Sequence, residues 1–183
     1  IRITQELITR NGIRAVRVDE IAQRLGISKR TLYEMFADKN DLISACLDDL
    51  ARRQRQRIAA SRRRRSGNPL QRTLRLANDY IDSLYTVDHS FLADIRRKVL
   101  FAEQYDEHRE FWRKELSLNL EECRGGGLLL SEIDTAALAE QLMSTLFELR
   151  LNRTTREELY LLCRTILRGA ATQQGIDLID RKP

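Results

Sequence analysis

A glycine followed two residues later by a serine is the feature that most restricts how this chain can fold. Within residues 25–28, Gly26 can adopt the left-handed conformation that ends a helix, and Ser28 can cap the start of another. Apolar residues at helical spacing flank both: Ile21, Ala22 and Leu25 before the turn, and Leu32, Met35 and Phe36 after it. The stretch therefore predicts two short helices joined by a tight turn, which is a helix-turn-helix.

The rest of the chain also favours helices. Two prolines and eight glycines in 183 residues, with Leu, Ala, Arg and Glu prominent, are typical of helical proteins and not of sheets. We expect an all-α protein of about nine helices, with a three-helix helix-turn-helix domain followed by a helical bundle. Residues 66–69, Ser-Gly-Asn-Pro, are the clearest break, because Asn can cap a helix and Pro can begin one.

Polar residues that can cap helices mark several of the other boundaries. Asn11-Gly12 is expected to end the first helix, and the glycines at 125–127 the seventh. Three caps are expected further along: Asp38 or Asn40 for the fourth helix, Asp134 for the eighth, and Thr154 or Thr155 for the ninth.

Composition excludes several classes of protein. Three cysteines, Cys46, Cys123 and Cys163, are an odd and widely spaced set, which disfavours a disulfide framework or a zinc finger and fits a reducing cytoplasm. No apolar run approaches the roughly 20 residues that span a bilayer, so we expect a soluble protein without a membrane partner. A formal net charge of +5 permits a polyanionic partner without requiring one.

Motifs of enzymes are missing from the sequence. Its two histidines, His89 and His108, form no close metal-ligand spacing with the cysteines, and there is no phosphate-binding glycine loop before a lysine and no nucleophile elbow. The paired carboxylates Glu121 and Glu122 are typical of exposed helix charges. We therefore expect no enzyme activity, no metal and no cofactor.

The start of the third helix suits a nucleic acid. In a helix-turn-helix the second helix of the motif enters the major groove with its N-terminal residues near the bases. Here these are Lys29, Arg30 and Thr31, which offer a cation, a guanidinium suited to guanine, and a hydroxyl and methyl suited to phosphate or thymine. Tyr33 and Lys39 can add contacts to the DNA backbone. The alternative is a small bundle whose Lys and Arg form a solvated face.

Residues 18–43, VDEIAQRLGISKRTLYEMFADKNDLI, resemble the DNA-binding segment of the tetracycline-repressor (TetR) family. The shared features are the short helix, the Gly-Ile-Ser turn, the Thr-Leu-Tyr-x-x-Phe helix and the lysine before the next helix. Two residues depart from the family pattern: Arg17 stands where a Ser or Thr often caps the second helix, and Arg30 where Gly is frequent. The resemblance implies DNA contacts from Arg17, Ser28, Lys29, Arg30, Thr31, Tyr33 and Lys39.

The same resemblance implies a division of labour along the chain. Residues 1–43 are expected to bind a double-stranded operator, and residues 44–183 to bind a small effector and to form a homodimer. The effector pocket is expected near an aromatic set that could equally be plain core: Tyr85, Phe91, Phe101, Tyr105, His108, Phe111 and Trp112. The dimer interface is expected on the last two helices, where a monomer's core is the alternative: Leu138, Leu142, Leu146, Leu149, Leu159, Leu162 and Ile166.

An arginine run at residues 62–65 is the feature that we expect to stay out of DNA binding. If the fourth helix begins near Asp41, Arg62 lies about 30 Å along its axis, and in the family's layout this helix leads away from DNA. We expect a solvated turn there. The resulting hypothesis is a ligand-responsive transcriptional regulator, most simply a repressor that binds a near-palindromic operator. The alternative is a helical interaction protein that uses a basic face to bind an acidic protein.

Overall fold

The computed structural model describes residues 1–63, 67–97 and 101–180, with the side chains of residues 61–63 left out. These residues form ten α-helices and no β-strand, which confirms the all-α prediction. The helices are α1 (Arg2–Asn11), α2 (Val18–Leu25), α3 (Lys29–Met35), α4 (Lys39–Arg63), α5 (Pro69–Tyr85), α6 (His89–Arg97), α7 (Ala102–Gly125), α8 (Thr135–Leu151), α9 (Arg156–Gly169) and α10 (Gln173–Asp180). The arginine run at 62–65 falls outside the residues whose side chains are described.

The turn between α2 and α3 has the predicted chemistry. Gly26 has φ 66°, and its N–H bonds to the carbonyls of Ala22 and Gln23. Nothing lies within 4 Å of a Cβ added at this glycine, so backbone conformation and not crowding favours glycine there. The next N–H, that of Ile27, also returns to the Ala22 carbonyl at 3.1 Å. The turn thus provides hydrogen-bond donors for the Ala22 and Gln23 carbonyls near the end of α2.

Side-chain caps confirm the predicted start of α8 and decide between the alternatives for the starts of α4 and α9. Asp38, not Asn40, caps α4, because its Oδ1 accepts the N–H of Asp41 at 2.8 Å. Asp134 accepts two N–H groups at the start of α8. Thr155, not Thr154, begins α9 through a reciprocal capping box with Glu158.

Two compact units can be distinguished. The first comprises the described residues of 1–59 and 86–108, and the second those of 60–85 and 109–180. In the first unit α1 packs on α2 and α6 around Ile8, Ile13, Ile21 and Ile43. The amide of buried Gln5 fixes α1 to α4 by donating to the Cys46 carbonyl at 3.0 Å and to Asp49 at 2.9 Å. The predicted functional division at residue 43 stays a prediction.

In the second unit α5 is the central helix and packs against α8, α9 and α10. Trp112 of α7 is fully buried and meets Tyr80 of α5 edge to face, with ring centroids 5.3 Å apart. Aromatic pairs of this geometry add about 0.5–1.5 kcal/mol beyond the burial of their area. This contact fixes the packing of α5 on α7.

Two helices differ from the sequence prediction. The sequence pattern predicts that the seventh helix starts near Glu107, whereas α7 begins five residues earlier, at Ala102. α10 lies beyond the nine helices expected from the sequence, and it contains Gly175, a residue of low helix propensity. The structure explains this glycine: a Cβ there would lie 2.2 Å from the carbonyl oxygen of Leu128, so only glycine lets α10 approach that backbone so closely.

Within the described ranges, no helix combines the length and the apolarity that a bilayer crossing requires. The same residues hold no group of three or more His, Cys, Asp or Glu side chains arranged to bind a metal ion.

Candidate nucleic-acid interface

The N-terminus of α3 is held by its own cap. The Ser28 hydroxyl accepts the N–H of Thr31 at 3.0 Å, and the two side-chain oxygens share a hydrogen bond at 2.9 Å. A cap of this kind stabilises a helix by about 1 kcal/mol. Both residues are exposed. Ser28 and Thr31, two of the predicted DNA-facing residues, therefore contact each other. Their hydroxyls lie at the surface and are held in place by these hydrogen bonds.

One apolar side chain anchors α3 while most of its other residues face solvent. Leu32 is buried, and Tyr33 is 46% exposed. Met35, which its spacing from Leu32 places on the apolar side of α3, is 65% exposed. A seven-residue helix makes only two turns, so the helical spacing that relates Leu32 to Met35 does not ensure that both are covered. Tyr33 and Met35 thus add apolar surface to the exposed face.

Lys29 forms an ion pair that joins α3 to α2. Its Nζ lies 2.8 Å from Oδ1 of Asp19, with both side chains more than half exposed. The hydrogen bond and charge of Lys29 hold the pKa of Asp19 below its usual value, and the hydrogen bond from Lys29 to Asp19, with the acid's charge, raises the pKa of Lys29. The charge of Arg17 also lowers the pKa of Asp19, though by less. Both members of the pair are therefore ionised at neutral pH.

Asp19 was not singled out in the sequence. It lies ten positions before Lys29 and on another helix, so neither helical spacing nor a local motif relates the two. The helix dipole alone accounts for an acidic residue in the first turn of a helix. The sequence therefore contains no separate indication that Asp19 pairs with Lys29.

Arg30 and Glu34 form a second ion pair, at 3.2 Å and one helical turn apart on α3. The side chain of Arg30 is 90% exposed and that of Glu34 60% exposed. A pair at this exposure contributes only a few tenths of a kcal/mol. Arg30 is therefore nearly free to exchange Glu34 for a base or phosphate.

The remaining two predicted contacts begin the neighbouring helices. Arg17 occupies the N-cap position of α2, is exposed, and makes no side-chain capping bond, as its identity implied. Lys39 is the first residue of α4, directly after the Asp38 cap, and is half-buried. Backbone N–H groups at the start of a helix favour anions, so the position of Lys39 at the start of α4 favours phosphate binding.

The segment of residues 17–41, which contains all of the predicted DNA contacts, has no net charge. Between residues 17 and 41 five cations are balanced by five acids: Arg17, Arg24, Lys29, Arg30 and Lys39 against Asp19, Glu20, Glu34, Asp38 and Asp41. The chain's net positive charge therefore comes from outside this segment.

The predicted effector residues divide between the two units. Phe91, Phe101, Tyr105 and His108 belong to the first unit, whereas Tyr85, Phe111 and Trp112 belong to the second. Phe101 and Trp112 are fully buried. Tyr85 has a structural role: its hydroxyl donates to the Thr154 carbonyl at 2.5 Å, and the guanidinium of Arg150 lies 4.5 Å from its ring centre. The pocket stays a prediction.

A groove of about 540 Å³ lies elsewhere in the second unit. It is formed where α7 ends and the following loop passes, and its lining includes Glu121, Arg124 and Thr172. None of the predicted effector residues lines it.

The predicted dimer residues fall into two groups. Leu142, Leu146 and Leu159 are at most 1% exposed in the single chain, which leaves them little surface to bury against a partner, and their assignment to the interface stays a prediction. The half-buried members keep that capacity: Leu138, Leu149, Leu162 and Ile166. Leu161 of α9, which was not predicted, is 67% exposed and is the most exposed leucine described.

Comparisons with known proteins agree with this geometry. Residues 1–46 match the family model for bacterial regulatory proteins of the tetR family. An uncharacterized HTH-type transcriptional regulator of Mycobacterium tuberculosis is 50% identical over 44 residues, which are 24% of this chain and 18% of that protein. The chain thus matches less than a fifth of this curated relative's length.

Solved structures share the fold over nearly the whole chain. A transcriptional regulator from Saccharomonospora viridis in complex with choline has a TM-score of 0.79 at 17% identity, covering 93% of this chain and 94% of that one. A gamma-butyrolactone receptor described as ArpA-like has a TM-score of 0.73 at 21% identity, covering 96% and 89%. At these identities the likeness concerns the fold. Residues 1–46 thus match the tetR family of bacterial regulatory proteins, and the chain as a whole shares the fold of these solved structures.

Proposed function

We propose that this chain is a DNA-binding transcriptional regulator that recognises a near-palindromic operator as a homodimer and releases it when a small molecule binds. The observation that carries the proposal is the capped helix α3, which exposes Lys29, Arg30 and Tyr33 while Leu32 anchors it. A short helix entering the major groove by its N-terminus needs this arrangement. The family match of residues 1–46 supports the same assignment.

The contacts of α3 divide by chemistry into positioning and reading. Lys29 and Lys39 supply cations for phosphates, and the Ser28 and Thr31 hydroxyls can add hydrogen bonds to the backbone. Arg30 can donate two parallel hydrogen bonds to guanine, a contact that discriminates by about 1–3 kcal/mol. Arg30 is therefore the proposed base-reading residue, and the lysines set register and affinity.

The dimer is proposed on the exposed apolar residues of α8 and α9. Leu161 is largely exposed, and Leu138, Leu149, Leu162 and Ile166 are half-buried, which leaves apolar area on the last two long helices. A single seven-residue recognition helix offers few contacts, and a two-fold dimer doubles them over two half-sites. Repression is the simplest mode, because a dimer bound to an operator obstructs other proteins there.

The proposed effector is a small organic molecule. The structural relatives include one solved with choline and one described as a gamma-butyrolactone receptor, which supports a ligand-responsive role for this chain without naming its ligand. A ligand that reduced operator affinity 100-fold would need a coupling free energy of about 2.7 kcal/mol between its site and the operator. It would act by changing the separation of the two recognition helices.

The family match of residues 1–46 favours a regulator over an enzyme. A regulator that binds DNA acts in the cytoplasm, and the cysteines fit that reducing compartment. All three cysteines are buried as free thiols, and burial raises the pKa of Cys46 to about 11 and that of Cys163 to about 12. Thiols this reluctant to ionise are poor nucleophiles and poor metal ligands.

Selection of bound sequences from random duplex DNA tests the proposal. The expected result is an enriched motif with two inverted half-sites, protected as a unit by a dimer. Enrichment of no motif, together with tight binding to an acidic protein, would instead favour the interaction-protein alternative.

A further inference from the structure

We propose that Asp19 is a built-in counter-ion of the recognition surface, which competes with DNA phosphate for Lys29 and thereby limits sequence-independent attraction to DNA. The inference rests on the proposed function and names a residue that tunes it. Asp19 belongs to neither the predicted DNA contacts nor the buried core.

The geometry places Asp19 in contact with one of the proposed DNA-facing cations and two residues after another. Its Oδ1 lies 2.8 Å from Nζ of Lys29, across the turn that joins α2 to α3. Arg17, two residues before it, is the N-cap of the same helix, and its charge acts on both Asp19 and Lys29. A phosphate that approaches Lys29 therefore meets a carboxylate already bound to the ammonium group.

Electrostatics determine the sign of the effect. Attraction between a protein and duplex DNA that does not depend on sequence comes from cations that neutralise phosphates and release condensed counter-ions. Lys29 can do this only after leaving Asp19, and Asp19 then remains as an unneutralised negative charge beside the DNA. Because residues 17–41 carry no net charge, one carboxylate is a large share of the local balance.

The second ion pair of α3 does not have the same effect. Arg30 and Glu34 are one turn apart on a single helix and very exposed, so their pairing is weak and easily exchanged. The Lys29–Asp19 pair links two helices at a shorter distance, and it perturbs the pKa of both members. Of the two acids paired with cations of α3, Asp19 is therefore the one whose removal should change phosphate binding more.

The consequence is separable from base recognition. A change at Asp19 alters the phosphate interaction, which operator and random DNA share, and leaves the base contacts of Arg30 in place. Neutralising Asp19 should therefore increase affinity for both kinds of duplex by a similar factor, and the preference for operator should stay the same.

The test compares Asp19→Asn with Glu20→Gln in the full chain. Both variants remove one acid from the first turn of α2, so they change net charge and helix dipole equally, but Glu20 pairs with Arg24 and not with a proposed DNA contact. Binding to operator and random duplexes is measured by fluorescence anisotropy over a salt series. Asp19→Asn should raise both affinities about three- to ten-fold at roughly 0.1 M salt and steepen the salt slope by up to about 0.9, with Glu20→Gln clearly below this.

Two further measurements make the outcomes decisive. In a Lys29→Met background, the gain from Asp19→Asn should shrink, because the competing lysine is gone; an undiminished gain would overturn the proposed competition. Equal gains from both acid variants, or weaker binding by Asp19→Asn, would also overturn it. Thermal unfolding monitors folding, with Asp19→Ser as a second neutral variant. Wild-type protein that binds no duplex would contradict the proposed function itself, whereas wild-type binding with no Asp19 effect contradicts only this inference.

Discussion

Asp94 of α6 accepts the backbone N–H of Arg14 at 2.9 Å, and the same carboxylate lies 3.3 Å from the Arg14 guanidinium. Arg14 lies in the connection between α1 and α2. A second bond, from the Asp88 N–H to the Thr9 carbonyl, ties the start of α6 to the end of α1. Gly12 completes the contact, because a Cβ there would lie 3.0 Å from Ser90 and Asp94 atoms. The α6 helix thus holds the segment that leads into the helix-turn-helix.

Removing the Asp94 carboxylate should destabilise the first unit. Asp94→Ala leaves the Arg14 N–H without this acceptor in a place where Asp94 is only 8% exposed, so we expect the free energy of unfolding to fall by about 1–3 kcal/mol. Arg14→Ala removes only the exposed side-chain pair and should cost less than about 1 kcal/mol. Urea denaturation of both variants measures the difference, and equal losses would show that the backbone bond is unimportant.

Exposed and buried leucines of α8 and α9 should differ in whether their substitution affects dimerisation or folding stability. Leu161→Glu places a charge on a 67% exposed position, so the fold should persist while the dimer dissociates. Leu146→Ala empties a fully buried position and should cost about 2–5 kcal/mol of stability. Analytical ultracentrifugation and thermal melts distinguish these outcomes. A Leu161→Glu protein that sediments as an unchanged dimer would contradict the proposed interface.

Acid should destabilise the protein through His108. Burial, with a smaller effect of the Arg55 charge, lowers the pKa of His108 from 6.5 to about 4. Between these values the unfolded chain binds the proton and the folded chain does not, so stability falls as pH drops from 6.5 to 4, by on the order of 2 kcal/mol. His108→Gln should flatten the stability profile in this window. The control is His89→Gln. If both variants showed the same dependence of stability on pH, the loss of stability in acid would not be due to His108.

Loss of the Lys39 cation should reduce the salt dependence of DNA binding. Lys39→Met removes one proposed phosphate contact, so the slope of log affinity against log salt should become shallower by about 0.9, for operator and random duplexes alike. Arg168→Met, which removes an exposed cation of α9, is the matched control. A control variant that lowers the slope as much as Lys39→Met would indicate a general charge effect.

Local chemistry could be predicted from the sequence because each determinant lies within a few residues of its effect. Ser28, Asp134 and Thr155 cap the helices that follow them, and Gly26 ends α2 as expected. These bonds depend on backbone groups two or three positions away. The all-α fold and the helix-turn-helix followed from such signals.

Long-range placement could not be predicted in the same way. The apolar residues of α8 surround much of its circumference, so periodicity does not say that Leu146 faces the chain's own core while Leu161 of α9 faces solvent. The pairing of Asp19 with Lys29 depends on how two helices meet. Gly175 has low helix propensity, and only the structure shows the close approach of the Leu128 backbone that requires glycine there.

The central claim is that α3 reads DNA through its first residues, and Arg30 tests it most directly. Selection from random duplex DNA, repeated with Arg30→Ala, should return the wild-type motif with its inverted half-sites intact but with preference relaxed at one matching base pair in each half-site, at a cost of about 1–3 kcal/mol for operator binding. An identical motif from both proteins would contradict base reading by Arg30. Failure of the wild-type protein to enrich any motif would contradict the account as a whole.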